Sequence, residues 1–116
     1  MNILTVGGSD PSSGAGIQSD IRTFSDFGAY GFTAITAITS QNTKQVSNIE
    51  PVSEKSLKSQ LDSVLSDFHI DVIKIGMVYN SDIINVIHSK FRNNHVPIIV
   101  DPIIKSTTGN LLLKKN

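Results

Sequence analysis

The sequence predicts an α/β domain built on a mostly parallel sheet. Short β-branched runs alternate with stretches of helical apolar spacing. Each run then opens into a loop rich in Gly, Ser, Asn or Asp. All of this fits into 116 residues without an internal repeat or low-complexity linker, so one compact unit is expected.

Ile3-Leu4-Thr5-Val6, closed by Gly7-Gly8, reads as a buried strand entering a loop. Ile17, Ile21, Phe24 and Phe27 recur at helical spacing, and Gly28 stands where a left-handed C-terminal cap is wanted. Phe32 to Thr39 reads as a second strand of low polarity on both faces, as in sheets covered on both sides. Ser53 is suited to N-cap a helix whose apolar stripe is Leu57, Leu61, Val64, Leu65 and Phe68. Val72-Ile73-Lys74-Ile75 forms a third strand ending at Gly76. Asn80 or Ser81 then opens a helix with Ile83, Ile84, Ile87 and Phe91 inward, stopping at Asn93-Asn94. Pro97-Ile98-Ile99-Val100 is the fourth strand, halted by Asp101-Pro102.

Composition narrows the function. Ten basic and ten acidic residues leave no net charge, whereas non-specific nucleic-acid or membrane-surface binding requires a basic excess. The absence of Cys removes disulfides, thiolate zinc sites and Cys nucleophiles, and suits a cytosolic protein. The longest apolar runs, Ile98-Ile99-Val100 and Leu111-Leu112-Leu113, are too short to span a bilayer as a helix. Those last leucines want burial, either as a terminal segment of this domain or against a following part of a longer protein. The second account is the one expected here.

Ligands of parallel sheets bind beyond the carboxyl ends of the strands. Four loops should therefore converge on one rim: Gly7-Gly8-Ser9-Asp10, Ser40-Gln41-Asn42-Thr43, Gly76-Met77 and Asp101-Pro102. Glycines in the first let the backbone approach a ligand, and the helix N-terminus beyond it favours a polar or anionic group. Gly14-Ala15-Gly16-Ile17-Gln18-Ser19 only partly imitates a dinucleotide fingerprint, and no acidic residue follows the second strand to hold a ribose. No Gly-Lys-Ser/Thr occurs, which excludes a P-loop. His69, His88 and His95 lack metal-ligand spacing, and Ser9 lacks a nucleophile-elbow context. Asp10 and Asp101 can orient a substrate or hold Mg2+, or simply cap turns beside their prolines. Gln41 and Asn42 both donate and accept, as recognition of a heterocycle edge requires. Lys74, a charge within an apolar strand, must snorkel, mark a sheet edge or pair with a carboxylate.

Together these loops resemble a known family. The stretch Val6-Gly7-Gly8-Ser9-Asp10-Pro11-Ser12-Ser13-Gly14-Ala15-Gly16-Ile17-Gln18-Ser19-Asp20 is similar to the opening of hydroxymethylpyrimidine/phosphomethylpyrimidine kinases of thiamine biosynthesis, in the ribokinase-like superfamily. Ile35 through Thr43, Val72-Ile73-Lys74-Ile75-Gly76-Met77 and Val100-Asp101-Pro102 continue the match in order. The resemblance implies a cytoplasmic enzyme using ATP and Mg2+ to phosphorylate 4-amino-5-hydroxymethyl-2-methylpyrimidine and then its monophosphate. It implies that Gln41 bonds the aminopyrimidine edge, Met77 lines the ring, Gly8 and Asp10 lie beside the substrate, and Asp101 lies near phosphates and metal.

The resemblance further implies that residues 1–116 are the N-terminal part of a single ribokinase-like domain, whose anion hole, catalytic base and adenine contacts lie further on. No catalytic residue is then expected within this chain. A pyridoxal-type kinase and a non-catalytic heterocycle-binding module are the alternatives, and an exposed edge strand would permit homo-oligomers. The chain departs from the family at Ser13, where Gly is usual, at Ile103-Ile104, where Val and Met are common, and at Ser106-Thr107-Thr108-Gly109, in place of a Lys-Ser-Gly ending.

Overall fold

The computed structural model describes residues 1–101, 103–104 and 111–113. Pro102 and the departures at 106–109 lie outside the described residues. Eight elements follow in order: β1 (Asn2–Ser9), α1 (Gly16–Asp26), β2 (Tyr30–Gln41), β3 (Val46–Pro51), α2 (Glu54–Asp67), β4 (Val72–Ile75), α3 (Ser81–Phe91) and β5 (Ile98–Val100). The five strands form one sheet in the order β3-β2-β1-β4-β5. All neighbours run parallel except β2 and β3. The expected α/β class with a mostly parallel sheet is therefore present.

β3 corrects the expectation of four strands. Asn42 makes the turn that produces it, its side-chain oxygen accepting from the backbone N–H of Lys44 at 2.9 Å and of Gln45 at 3.1 Å. Beyond that turn only Val46 is buried and Ile49 half-buried, so the apolar signal of this antiparallel edge strand is faint.

Alternation along the strands divides the layers. Leu4 and Val6 of β1, Ala34 of β2, and Ile73 and Ile75 of β4 meet Leu57 and Leu61 of α2 and Ile83, Ile87 and Phe91 of α3. Full burial of Leu57, Leu61 and Ile83 stabilises the fold by about 1.5–3 kcal/mol each. As the sequence predicts, Ser53 caps α2 by accepting from Ser56 N–H at 3.0 Å; of the two candidates for α3, Asn80 is the cap, accepting from Ile83 N–H at 2.9 Å. The opposite face of β1 and β2 carries α1.

The α1 stripe is weaker than its spacing implies. Ile17 is buried and Phe24 rests against Gly31, but Ile21 is exposed and Phe27, at the C-cap, is 86% exposed. Gly28 takes the left-handed conformation expected of it, with φ 76°. A second cluster lies at the carboxyl ends of the strands, where Ala37, Val46, Met77 and Leu112 are buried together. Leu112 thus packs on this domain, while Leu111 remains exposed.

Candidate functional site

The first loop folds around one carboxylate. Asp10 is 2% exposed. Its Oδ1 accepts from Ser12 N–H at 2.8 Å and from Ser12 Oγ at 2.6 Å, while Oδ2 accepts from Ala15 N–H at 2.8 Å. Burial opposes ionisation of Asp10, but the donors from Ser12, Ala15 and Gln41 together outweigh it and hold the carboxyl below its ordinary range. The expectation of a helix N-terminus open to an anionic ligand is modified accordingly: Asp10 takes the Ala15 N–H at the N-cap of α1. Of the two roles open to Asp10 in the sequence, turn capping is the one its geometry displays.

Gln18 completes the loop, accepting from Asp10 N–H at 2.8 Å and donating to Ser9 Oγ at 2.8 Å. Gly16 lies against this turn at φ 63°, and a Cβ there would drive into the Gly8 carbonyl oxygen. Ser13, which stands where glycine is usual in the family the sequence resembles, also has φ 63°. Left-handed backbone costs a β-carbon residue about 1–2 kcal/mol, partly offset by the lower unfolded-state entropy of serine. Ser13→Gly is therefore expected to raise stability by about 0.5–1 kcal/mol, readable as a higher urea midpoint.

β2 holds the other loops in place through residues that read in the sequence only as strand formers. Its register against β1 slips between Gly7 and Gly8, so Thr36 is passed over. Gln60 of α2 satisfies the backbone nearby, accepting from Ile35 N–H at 2.8 Å and donating to its carbonyl at 2.9 Å. Thr36, fully buried, donates its hydroxyl to the Met77 carbonyl at 2.7 Å, and Thr39 donates to the Ser9 carbonyl at 2.7 Å. β2 therefore fixes both the β1 and the β4 loop.

Gly8, Asp10, Gln41 and Met77 line a single cavity of about 190 Å³. It is smaller than the range of about 300–1,000 Å³ usual for drug-sized ligands and is of a scale for one substituted ring. Met77 forms its apolar wall, and Ile103 and Leu112 close it from the chain's last described segments. A Cβ on Gly8 would come within 2.7 Å of Met77 Sδ, so a side chain there would displace the Met77 thioether from its present position.

Asp20 and Lys74 line the same cavity. Lys74 Nζ contacts both Asp20 oxygens, at 3.0 and 2.9 Å, and Thr5 Oγ1 donates to Asp20 Oδ2 at 2.7 Å. The alternatives for Lys74 are thus resolved: it pairs with a carboxylate, in a strand interior to the sheet.

Asp101 does not join the cavity lining. It is exposed just beyond β5, where its N–H donates to the Ile75 carbonyl at 2.8 Å. Among the described residues no three His, Cys, Asp or Glu side chains gather as a metal cluster. A larger open groove, about 610 Å³, lies between α2 and α3, and no strand residue lines it. No helix among the described residues is long and apolar enough to cross a membrane.

The family model for phosphomethylpyrimidine kinase matches residues 10–116. A hydroxymethylpyrimidine/phosphomethylpyrimidine kinase of Salmonella typhimurium is 42% identical over 114 residues, covering 97% of this chain and 43% of the relative. The crystal structure of a phosphomethylpyrimidine kinase from Clostridium difficile superposes with a TM-score of 0.88 at 44% identity, covering 98% of this chain and 50% of that one. A pyridoxal kinase from Staphylococcus aureus, solved with ADP, gives 0.77 at 34% identity, covering 88% of this chain and 38% of that one. The chain spans a little under half the length of the curated kinase from Salmonella. Its sheet and helices are those of ribokinase-like vitamin kinases, and the chain belongs to the phosphomethylpyrimidine kinase family.

Proposed function

We propose that residues 1–116 form the N-terminal, substrate-facing part of a cytoplasmic kinase that phosphorylates 4-amino-5-hydroxymethyl-2-methylpyrimidine and then its monophosphate. The observation carrying this reading is the shared cavity of Gly8, Gln41 and Met77, reached from the carboxyl ends of three strands far apart in sequence. The Gln41 amide can donate to a ring nitrogen and accept from the exocyclic amine, while the Met77 thioether packs on the ring. Gly8 lets the ring lie close to the backbone. Asp10 serves by holding the loop, since both its oxygens already accept hydrogen bonds.

The phosphoryl donor in this reading is ATP, whose γ-phosphoryl group passes to the hydroxymethyl oxygen as ADP leaves. Mg2+ bound through phosphates needs only one or two protein carboxylates, and Asp101, exposed at the rim, fits as one. When bound, the ion neutralises charge on the transferring phosphoryl group. The base that takes the hydroxyl proton is assigned to the portion of the longer relatives outside this alignment. The higher identity and TM-score of the pyrimidine kinase structure favour a pyrimidine over pyridoxal.

Calorimetry with the aminopyrimidine tests the binding role. The chain is expected to bind it, and Gln41→Leu to weaken binding by roughly 10–100-fold through loss of paired polar contacts. Equal affinity in the variant rejects the assignment of Gln41. A coupled ATP assay should show no turnover by the 116-residue chain, and sustained turnover contradicts the placement of the base elsewhere.

A further inference from the structure

We propose that Thr5, Asp20 and Lys74 are positioning residues, forming a largely buried network that sets the separation of the Gly7-Gly8 and Gly76-Met77 segments and hence the shape of the cavity. Thr5 and Lys74 are direct partners across β1 and β4, one register position before the last pair, Val6 and Ile75. Just beyond that pair β4 ends and gives way to Gly76-Met77, while β1 continues through Gly7-Gly8 without β4 as its partner, and these residues line the cavity. Asp20 reaches down from α1 between them, both oxygens engaged by Lys74 and one also by Thr5. The network therefore ties β1, α1 and β4 together at the point where their loops separate.

Three features distinguish this from a surface ion pair. The Lys74 and Asp20 side chains are only 21% and 19% exposed, and Thr5 is fully buried. Lys74 extends over its own loop, since a Cβ on Gly76 would lie 3.4 Å from Nζ. The two segments approach closely, a Cβ on Gly8 falling 2.7 Å from Met77 Sδ, so the Met77 side chain senses their separation. Stability alone does not account for such a group, because replacing a buried ion pair by apolar side chains is often neutral or stabilising.

The test uses the full chain labelled with 13C at the methionine methyls, of which there are two, Met1 and Met77. Thr5→Val removes one hydroxyl at constant shape, and the double replacement Asp20→Leu/Lys74→Leu removes both charges without stranding either and adds no labelled methyl. Both are expected to move the Met77 methyl resonance by more than its linewidth, leave Met1 unchanged, and retain cooperative melting. Binding of the aminopyrimidine should weaken about tenfold in each, as a fraction of an ångström of misplacement implies.

In Thr5→Val, which alters no residue lining the cavity, a merely structural network would change the melting temperature and leave Met77 and the affinity of the folded protein as in the parent, and that result overturns the proposal. If the double variant fails to fold, Thr5→Val decides. The ligand arm rests on the heterocycle reading of the cavity, whereas the methyl resonance does not. Failure of the parent to bind rejects that reading while the Met77 signal still judges the network.

Discussion

Gly16→Ala is expected to destabilise the chain by about 3 kcal/mol, combining the left-handed backbone penalty with overpacking. At φ 63° a methyl group at this position meets the Gly8 carbonyl oxygen, with Asp10 N and Cβ at 3.3 and 3.4 Å behind it. No rotamer relieves the clash, because the obstructing atom is backbone. Yielding would require β1 and the N-terminus of α1 to move apart, opening the loop that forms one wall of the cavity. For a domain near this size each kcal/mol corresponds to roughly 4–6 °C, so a melting temperature lower by about 12–18 °C is anticipated in calorimetry. An unchanged transition would show that the loop does not approach α1 in this way.

Asp10→Ala should be nearly as damaging, costing about 2–4 kcal/mol, because Ser12 N–H, Ser12 Oγ–H and Ala15 N–H lose their acceptor together. The same carboxylate makes stability depend on acid. Its folded-state pKa lies below the ordinary 3.8, so its contribution is complete above that value. As the pH falls from there through the folded-state value, the unfolded chain takes up the proton more readily and the contribution is lost. Urea denaturation from pH 6 down to pH 2 should therefore show a fall in stability beginning near pH 4, shallower in Asp10→Asn. Parallel profiles for parent and Asn variant would remove Asp10 from the account of the loop.

The legible part of the fold was the part governed by local chemistry. Leu57 and Leu61, or Ile83 and Ile87, recur with the helix period, and Ser53, Asn80 and Gly28 occupy positions that short-range backbone demands dictate. Gly8, Gln41 and Met77 could be placed on one rim because each lies at or just beyond the carboxyl end of a parallel strand. β3 was not legible: its pairing with β2 supplies the energy, and a single buried valine leaves little pattern. In α1 the spacing of Ile21 and Phe27 resembles that of a buried stripe, yet in this fold both remain exposed.

Polar partners separated along the chain were also invisible. Nothing local to Lys74 indicates Asp20, 54 residues earlier, and nothing in a Thr-rich strand distinguishes Thr36 and Thr39 as the groups that hold the Met77 and Ser9 carbonyls. Gln18 and Gln60 likewise read as ordinary helix residues, although each satisfies backbone groups outside its own helix. Ser13 is the converse case. Its departure from a familiar glycine marked a backbone position that does take a positive φ.

The most direct test is a map of amide and methyl resonances during titration of the labelled chain with 4-amino-5-hydroxymethyl-2-methylpyrimidine. Perturbations concentrated at Gly8, Gln41 and the Met77 methyl, with the α2–α3 groove around Lys58 and Ser89 silent, are the predicted result. A saturating response centred on that groove, or binding that leaves Gly8, Gln41 and Met77 unmoved, would contradict it.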